Sequence, residues 1–292
     1  MNTPTLKFGN KVITVSNRVK LVTFLPPIAP YTMRFEFMGQ SENFDPTLGT
    51  GNTNYPYWAY GTWTHVTGSV YDWTYQDKSW GYKEFRNHQG NYFRDTSAFT
   101  LGVPTSGGDP RYSGANTMFD DIEYRILGAN LADVECIVCL FKRATKYLRS
   151  VALFDTSRVL IAGGMFQYHR NAAPQYLTQI PNFDFSSISS KGYDYITRPS
   201  DLSTYGGLSY FANQWNILKV VPNITIPKEV DTFIRYAFYG CTKVESGALS
   251  LYNKFNSAGW TASSSYLKCF YNCGSGTESG AAELAQIPSG WK

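Results

Sequence analysis

The stretch 151-VALFDTSRVLIAGGMFQ-167 decides how the fold is read. Its two halves, Leu-Phe-Asp-x-Ser-x-Val and Gly-Met-Phe, carry no catalytic pattern. Standing alone they would be one strand and one turn; recurring, they mark a repeat. From Asp120 onward they recur. A cousin of the first half is 183-FDFSSI-188, and a weaker one is 224-ITIPKEV-230. The second half returns as a phenylalanine landmark: Cys-Leu-Phe141, Gly-Met-Phe166, Ser-Tyr-Phe211, Tyr-Ala-Phe238 and Lys-Cys-Phe270. Three positions after the last two stand Cys241 and Cys273. The same slot holds Ala144, His169 and Gln214 elsewhere.

Apolar-x-x-apolar strand seeds follow the landmarks: 148-LRSV-151, 177-LTQI-180, 217-ILKV-220 and 284-LAQI-287. The landmarks are 25, 45, 27 and 32 residues apart. The first and third spacings fall in the leucine-rich-repeat range of about 20–29, and the others require insertions. Those insertions are expected as loops at about 189–206 and 253–265. The physical logic is that one such unit cannot bury its Phe and Leu alone. Stacking neighbours makes a continuous apolar ladder, and roughly three units are the minimum. Five landmarks are visible, and the last unit reads as a cap ending at Trp291.

The first 119 residues read differently. The segment 31-YTMRFEFMG-39 alternates, with Met33, Phe35 and Phe37 on one side and Arg34 and Glu36 on the other, a period-2 strand. Val12, Ile13 and Val15, and then Val19, Leu21, Val22 and Phe24, form earlier β-prone runs. Trp63, Val66, Val70 and Trp73 punctuate later ones. The stretch 79-SWGYKEFRN-87 is expected to make a helical turn with Ser79 as N-cap. Residues 40–57 and 87–119 read as loop.

Composition narrows the function classes. The chain has 292 residues with 43% hydrophobic, enough for a real core. Charged residues are 16% and aromatics also 16%, including 22 Tyr. Low charge with abundant Tyr, Asn and Gly is common among β-rich extracellular and virion proteins. Net charge is +4 with no basic run, so no dedicated nucleic-acid binding is expected. No apolar run reaches the roughly 20 residues of a membrane helix. The N-terminus shows no secretion-signal pattern. Absence of a signal favours a protein released by lysis or assembly over a secreted one.

Chemistry-bearing residues are sparse. The pair 136-CIVC-139 and the pair 269-CFYNC-273, with Cys241, have the residue types of a zinc site. Their place in repeat slots favours buried structural thiols, and no metal or cofactor is expected. An odd cysteine count opposes a fully paired disulfide framework. His65, His88 and His169 sit in no nucleophile or metal motif. Asp72 with Asp77, or Asp120-Asp121 with Glu123, could serve a glycosidase, which needs two carboxyls about 5–9 Å apart. Asp155 and Asp184 stand at equivalent repeat turns, where a side-chain oxygen capping backbone N–H groups is the simpler reading. Among the aromatics, Trp63, Trp73 and Trp80 read as core. Tyr55, Tyr57, Trp58 and Tyr60 follow a Gly/Asn loop and are candidate binding residues, because exposed rings stack on sugars at small entropy cost.

At FDTSRV…GMFQ and AFYGCTKV the chain resembles the BspA-like leucine-rich repeats of bacterial and phage surface proteins. In that family an L-x-x-V/I-P strand alternates with an FDTS turn and an MF-x-x-C segment. The resemblance spans about residues 120–292. PYTMRFEF, DPT and GTWTHV resemble the leader region before such repeats in gut Bacteroidales and their phages. His169 and Gln214 depart from the pattern by replacing Cys. The resemblance implies a mainly β protein with short helices, a β-rich anchoring or capping module (1–119) followed by a leucine-rich-repeat solenoid (120–292). Phe141, Phe166, Phe211, Phe238 and Phe270 would form its structural core. It implies a non-catalytic recognition or adhesion protein, in a virion as a tail or head fibre component, or on a cell surface. Its partners would be a bacterial surface glycan or protein, other virion subunits, and its own copies in a homo-oligomer, a trimer in the fibre case. A bacterial adhesin, a polysaccharide-degrading virion enzyme and a purely architectural virion protein are the alternatives.

Overall fold

The computed structural model describes residues 5–8, 11–14, 25–40, 62–80, 83–86, 92–95, 102–103, 116–117, 122–141, 147–168, 174–196, 205–227, 234–260 and 268–292. The chain is mainly β with few helices. Its largest sheet has five strands: β3 (Thr32–Phe37), β4 (Thr62–Thr67), β5 (Val70–Thr74), β10 (Tyr124–Asn130) and β11 (Leu148–Val151), in the order β11-β10-β3-β5-β4. Three two-stranded ribbons are β1 (Thr5–Phe8) with β2 (Lys11–Thr14), β6 (Lys83–Arg86) with β7 (Tyr92–Asp95), and β8 (Gly102–Val103) with β9 (Asn116–Thr117). The five-stranded sheet draws β3, β4 and β5 from before residue 119 and β10 and β11 from after it.

The alternation in β3 places Met33, Phe35 and Phe37 in the core, where Phe35 and Phe37 meet Trp63 and Tyr124. Trp73 and Trp80 are buried and Trp63 half-buried. The opposite side of β3 is less open than its sequence suggests. Arg34 is 3% exposed, and its guanidinium grips the Asp72 carboxylate with two bonds of 2.7 and 2.8 Å. Neighbouring β5 supplies that partner, so a charged residue sits inside the sheet.

Several local expectations need correction. No helical turn starts at Ser79. Its amide is held by Asp77 Oδ1 at 2.8 Å and its backbone bridges Cys136, while Lys83–Arg86 is strand β6. The loop expected over 87–119 contains β7, β8 and β9, where Tyr92, Phe93 and Val103 supply β propensity. The seed 284-LAQI-287 lies mostly in a helix, α2 (Glu278–Gln286), rather than a strand. Thr277 caps that helix by accepting the Gly280 amide, and small and unbranched residues fill it. The expected insertion loops also carry helices. Ser190–Tyr195 is a 3-10 turn, and α1 (Ala248–Ser257) occupies the start of 253–265.

Beyond the sheet, the chain forms stacked turn-rich rungs. Within a rung, amides close on carbonyls three residues back, as in Met165 to Ala162, Phe211 to Leu208 and Cys241 to Phe238. Between rungs, every second amide donates to the next rung. Cys139 donates to Gly163, Phe141 to Met165, Phe166 to Phe211, Ala212 to Ala237, Gln214 to Tyr239, Phe238 to Cys269 and Gly240 to Tyr271. A second line of parallel bridges joins Ser79, Cys136 and Ile161, and a third joins Gln179, Val220 and Ser246. The backbone polar groups of these turns are thus satisfied without long strands.

Register follows from those bonds. Phe141, Phe166, Ala212, Phe238 and Phe270 share one column, and Phe211 stands one residue before it. The rings nonetheless form one line. Centroids are 5.1 Å apart from Phe141 to Phe166, 5.5 Å to Phe211, 6.0 Å to Phe238 and 6.0 Å to Phe270. All five are buried in the same core as the sheet residues. Phe270 then meets Trp291, whose carbonyl accepts the Phe270 amide and closes the stack. Helix α1 begins at Gly247 without a side-chain cap of its own; the Glu283 carboxylate of α2 accepts the Gly247 and Leu249 amides instead.

Candidate functional site

The rungs have a turn face whose backbone is unusual, buried at Cys139 and Gly164 and half-buried from Tyr210 onward. Cys139, Gly164, Tyr210 and Tyr236 occupy one column, and Lys268 extends it two residues before Phe270. All five have left-handed φ between 51° and 63°. A second column, Gln214, Gly240 and Asn272, is left-handed as well. Successive tight turns require this conformation, and glycine meets it without a Cβ penalty. Tyrosine, lysine and glutamine adopt it at a cost of about 1–2 kcal/mol each. The sequence thus accepts strain to place large polar and aromatic side chains outward. Rungs also approach each other closely: a Cβ on Gly163 would lie 2.0 Å from the Tyr205 carbonyl oxygen.

Four half-buried tyrosines line this face. Tyr210 and Tyr236 have ring centroids 5.0 Å apart, Tyr236 and Tyr239 5.5 Å, and Tyr239 and Tyr271 4.9 Å. They run across three rungs. The Arg235 guanidinium stands 5.7 Å from the Tyr236 ring centre, and the Lys268 ammonium 5.1 Å from that of Tyr271. Gln214 and Asn272 are exposed beside them. Such a strip offers flat ring faces, hydroxyls and amides over an extended length.

On the opposite side, the short strands make a more polar surface. A depression of about 510 Å³ lies across Arg149, Ser150, Thr178, Gln179, Asn182 and Val220. Arg149 lies over the Tyr176 ring at 3.7 Å and pairs with Glu123, which holds the Glu123 carboxyl below its ordinary value. Lys78 pairs with Glu135 at 3.1 Å, and Lys219 pairs with Glu245.

The candidate binding residues Tyr55, Tyr57, Trp58 and Tyr60 lie outside the described residues, as do His88, His169, Ala144, Asp120 and Asp121. The remaining candidate carboxylates each have a partner of their own. Asp72 is committed to Arg34, Asp77 to the Ser79 amide, and Glu123 to Arg149. Asp155 Oδ1 accepts the Ser157 amide at 2.8 Å and Asp184 Oδ1 the Ser186 amide at 3.0 Å, so both close local turns. Bonds from Ser157 lower the Asp155 carboxyl below its ordinary value. His65 is exposed, with Nε2 3.0 Å from the Gly68 carbonyl.

All five cysteines are buried. Cys136 and Cys139 lie in a small apolar cluster with Val138, Ile161, Ile196 and Tyr205. Cys241 donates to the Ala212 carbonyl at 3.0 Å, and burial pushes its thiol up to about 12. Burial raises Cys269 and Cys273 as well. Protonated thiols in apolar surroundings are poor nucleophiles and poor metal ligands. Among the described residues no His/Cys/Asp/Glu group is arranged to hold a metal ion.

The tyrosine strip was missed by sequence reading because its members are not adjacent. Tyr210 and Tyr236 are 26 positions apart and meet only through rung register. The available signal was the Tyr beside three of the five Phe landmarks: Ser-Tyr-Phe211, Phe238-Tyr and Phe270-Tyr. No protein-family model, curated protein or solved structure matches this chain.

Proposed function

We propose that the chain is a non-catalytic recognition protein of the BspA-like leucine-rich-repeat type, displayed on a virion or cell surface. Its stacked rungs form a solenoid whose turn face binds a surface glycan or protein. The observation that carries this reading is the pairing of a buried phenylalanine line with a half-buried tyrosine line in the same rungs. The inner line holds the stack rigid, and the outer line presents rings whose order is set by backbone bonds. Rigid aromatic surfaces bind with little entropy loss. Many weak contacts become strong when several copies are displayed together, which suits a homo-oligomeric fibre. The engagement of Asp72, Asp77, Asp155 and Asp184 with structural partners weighs against a glycosidase.

Binding of the isolated chain to whole bacterial cells and to a glycan array tests the proposal. Saturable binding without released product is the expected result. Released oligosaccharide would overturn it in favour of an enzyme. Absence of cell and glycan binding, with tight association to other virion subunits, would replace it with an architectural role.

A further inference from the structure

We propose, resting on that recognition reading, that the turn face takes an acidic polysaccharide. Sugar rings would lie on Tyr210, Tyr236, Tyr239 and Tyr271, with carboxylates on Arg235 and Lys268.

Three observations carry the charge assignment. First, the rung segments 137–141, 163–168, 205–214, 234–240 and 268–275 contain no Asp or Glu, so the described face holds cations without counter-ions. Second, three cations near the short strands are neutralised where these two are not. Lys78, Arg149 and Lys219 on the strand side each have a glutamate partner, whereas Arg235 and Lys268 form no ion pair with a described residue. Third, Arg235 Nε is buried with no hydrogen-bond partner among the described residues, and so is the Ser209 hydroxyl. These two residues belong to successive rungs, since the Tyr210 amide, next after Ser209, donates to the Arg235 carbonyl. A buried guanidinium N–H without a partner is costly, and reorienting the half-buried Arg235 side chain onto a carboxylate would exchange that cost for a charge-assisted bond.

The shape of the strip selects the rest of the ligand. Ring contacts continue across three rungs, so the occupant is an extended chain lying along the stack. Two cations over that length cannot match a charge at every unit of a nucleic-acid backbone. They match a polymer with an occasional carboxylate and many hydroxyls, for which the tyrosine hydroxyls, Gln214 and Asn272 are suitable partners.

The test uses the full chain and three polymers: hyaluronan, polygalacturonate and polysialic acid. Each is offered beside its own carboxyl-reduced, neutral form, with single-stranded oligo(dT) as a further arm. At least one acid form is expected to bind tenfold or more tightly than its reduced form. The double variant Arg235→Gln/Lys268→Gln is expected to abolish that preference while its melting profile matches wild type. Tyr271→Ala is expected to weaken acid and reduced forms by similar factors. Equal binding of every acid and reduced pair would overturn the acidic assignment and leave glycan recognition standing. Tighter binding of oligo(dT) than of any acid polymer would also overturn it. If no glycan of any kind binds, here or on an array, both the inference and the recognition reading fall.

Discussion

Tyr210 lies directly over Tyr236. The Tyr210 amide donates to the Arg235 carbonyl, both tyrosines are left-handed, with φ of 57° and 55°, and their ring centroids are 5.0 Å apart. One backbone bond therefore sets the register of a half-buried aromatic pair. The interior is organised by the same bonds, so surface order and core order share one cause.

The phenylalanine line predicts a large and localised stability loss. Phe211 is fully buried and touches the rings of Phe166, Phe185 and Phe238. Phe211→Ala should cost about 3–5 kcal/mol, because neighbouring rungs cannot collapse into the void. Urea unfolding measures it. A loss under about 1 kcal/mol would contradict a continuous line.

Backbone strain predicts the opposite sign at Lys268, whose φ is 51°. Replacing it with glycine relieves about 1–2 kcal/mol of left-handed strain. It also adds about 0.5–1 kcal/mol of chain entropy to be lost on folding. Lys268→Gly should therefore stabilise by about 0.5 kcal/mol in the same urea assay, despite losing the contact with Tyr271.

Arg34 and Asp72 should behave as a coupled pair. Their side chains are 3% and 16% exposed and share two bonds. Arg34→Ala should cost about 3–5 kcal/mol by stranding a carboxylate inside the sheet. The double variant Arg34→Met/Asp72→Asn should lose clearly less than the two single losses added together. A double-mutant cycle decides the point.

The buried thiols predict alkaline weakening. Cys241 titrates near 12 in the fold, and Cys269 and Cys273 are raised too. In the unfolded chain a thiol ionises at about pH 8.5. The native state then holds protons that the unfolded state has lost. The contribution is complete below about pH 8.5 and is lost as pH rises toward the folded value. Each thiol should remove about 1.4 kcal/mol of stability per pH unit in that window. Urea midpoints measured from pH 7 to pH 10.5 should fall accordingly, and a Cys241→Ser/Cys269→Ser variant should show a shallower fall. At neutral pH, Ellman's reagent should label the five cysteines only as the protein unfolds.

Sequence legibility followed the range over which each signal acts. The β3 alternation was readable because burial on one face repeats every second residue, and Phe35 and Phe37 lie inside as expected. The landmark phenylalanines were readable because each recurs beside a small or apolar patch. Their registration was not: Ala212, not Phe211, takes the column position, and only interchain-like bonds between rungs reveal that. Arg34 looked solvent-facing because its neutralising partner is 38 residues away on β5. The seed at 284–287 misled because Leu-x-x-Ile also fits a helix, and the Thr277 cap decided between them. The tyrosine strip was hidden for the same reason as the Arg34 pair. Its members become neighbours only after the rungs have stacked.

The left-handed columns also bear on how such a molecule can diversify. Where the column is half-buried, at Tyr210, Tyr236 and Lys268, it asks for a left-handed backbone and not for one chemical identity, at a modest conformational toll. Mutations there can rewrite what the outside displays while the aromatic interior keeps its dimensions. The outside could thus be altered one rung at a time without reopening the question of how to fold.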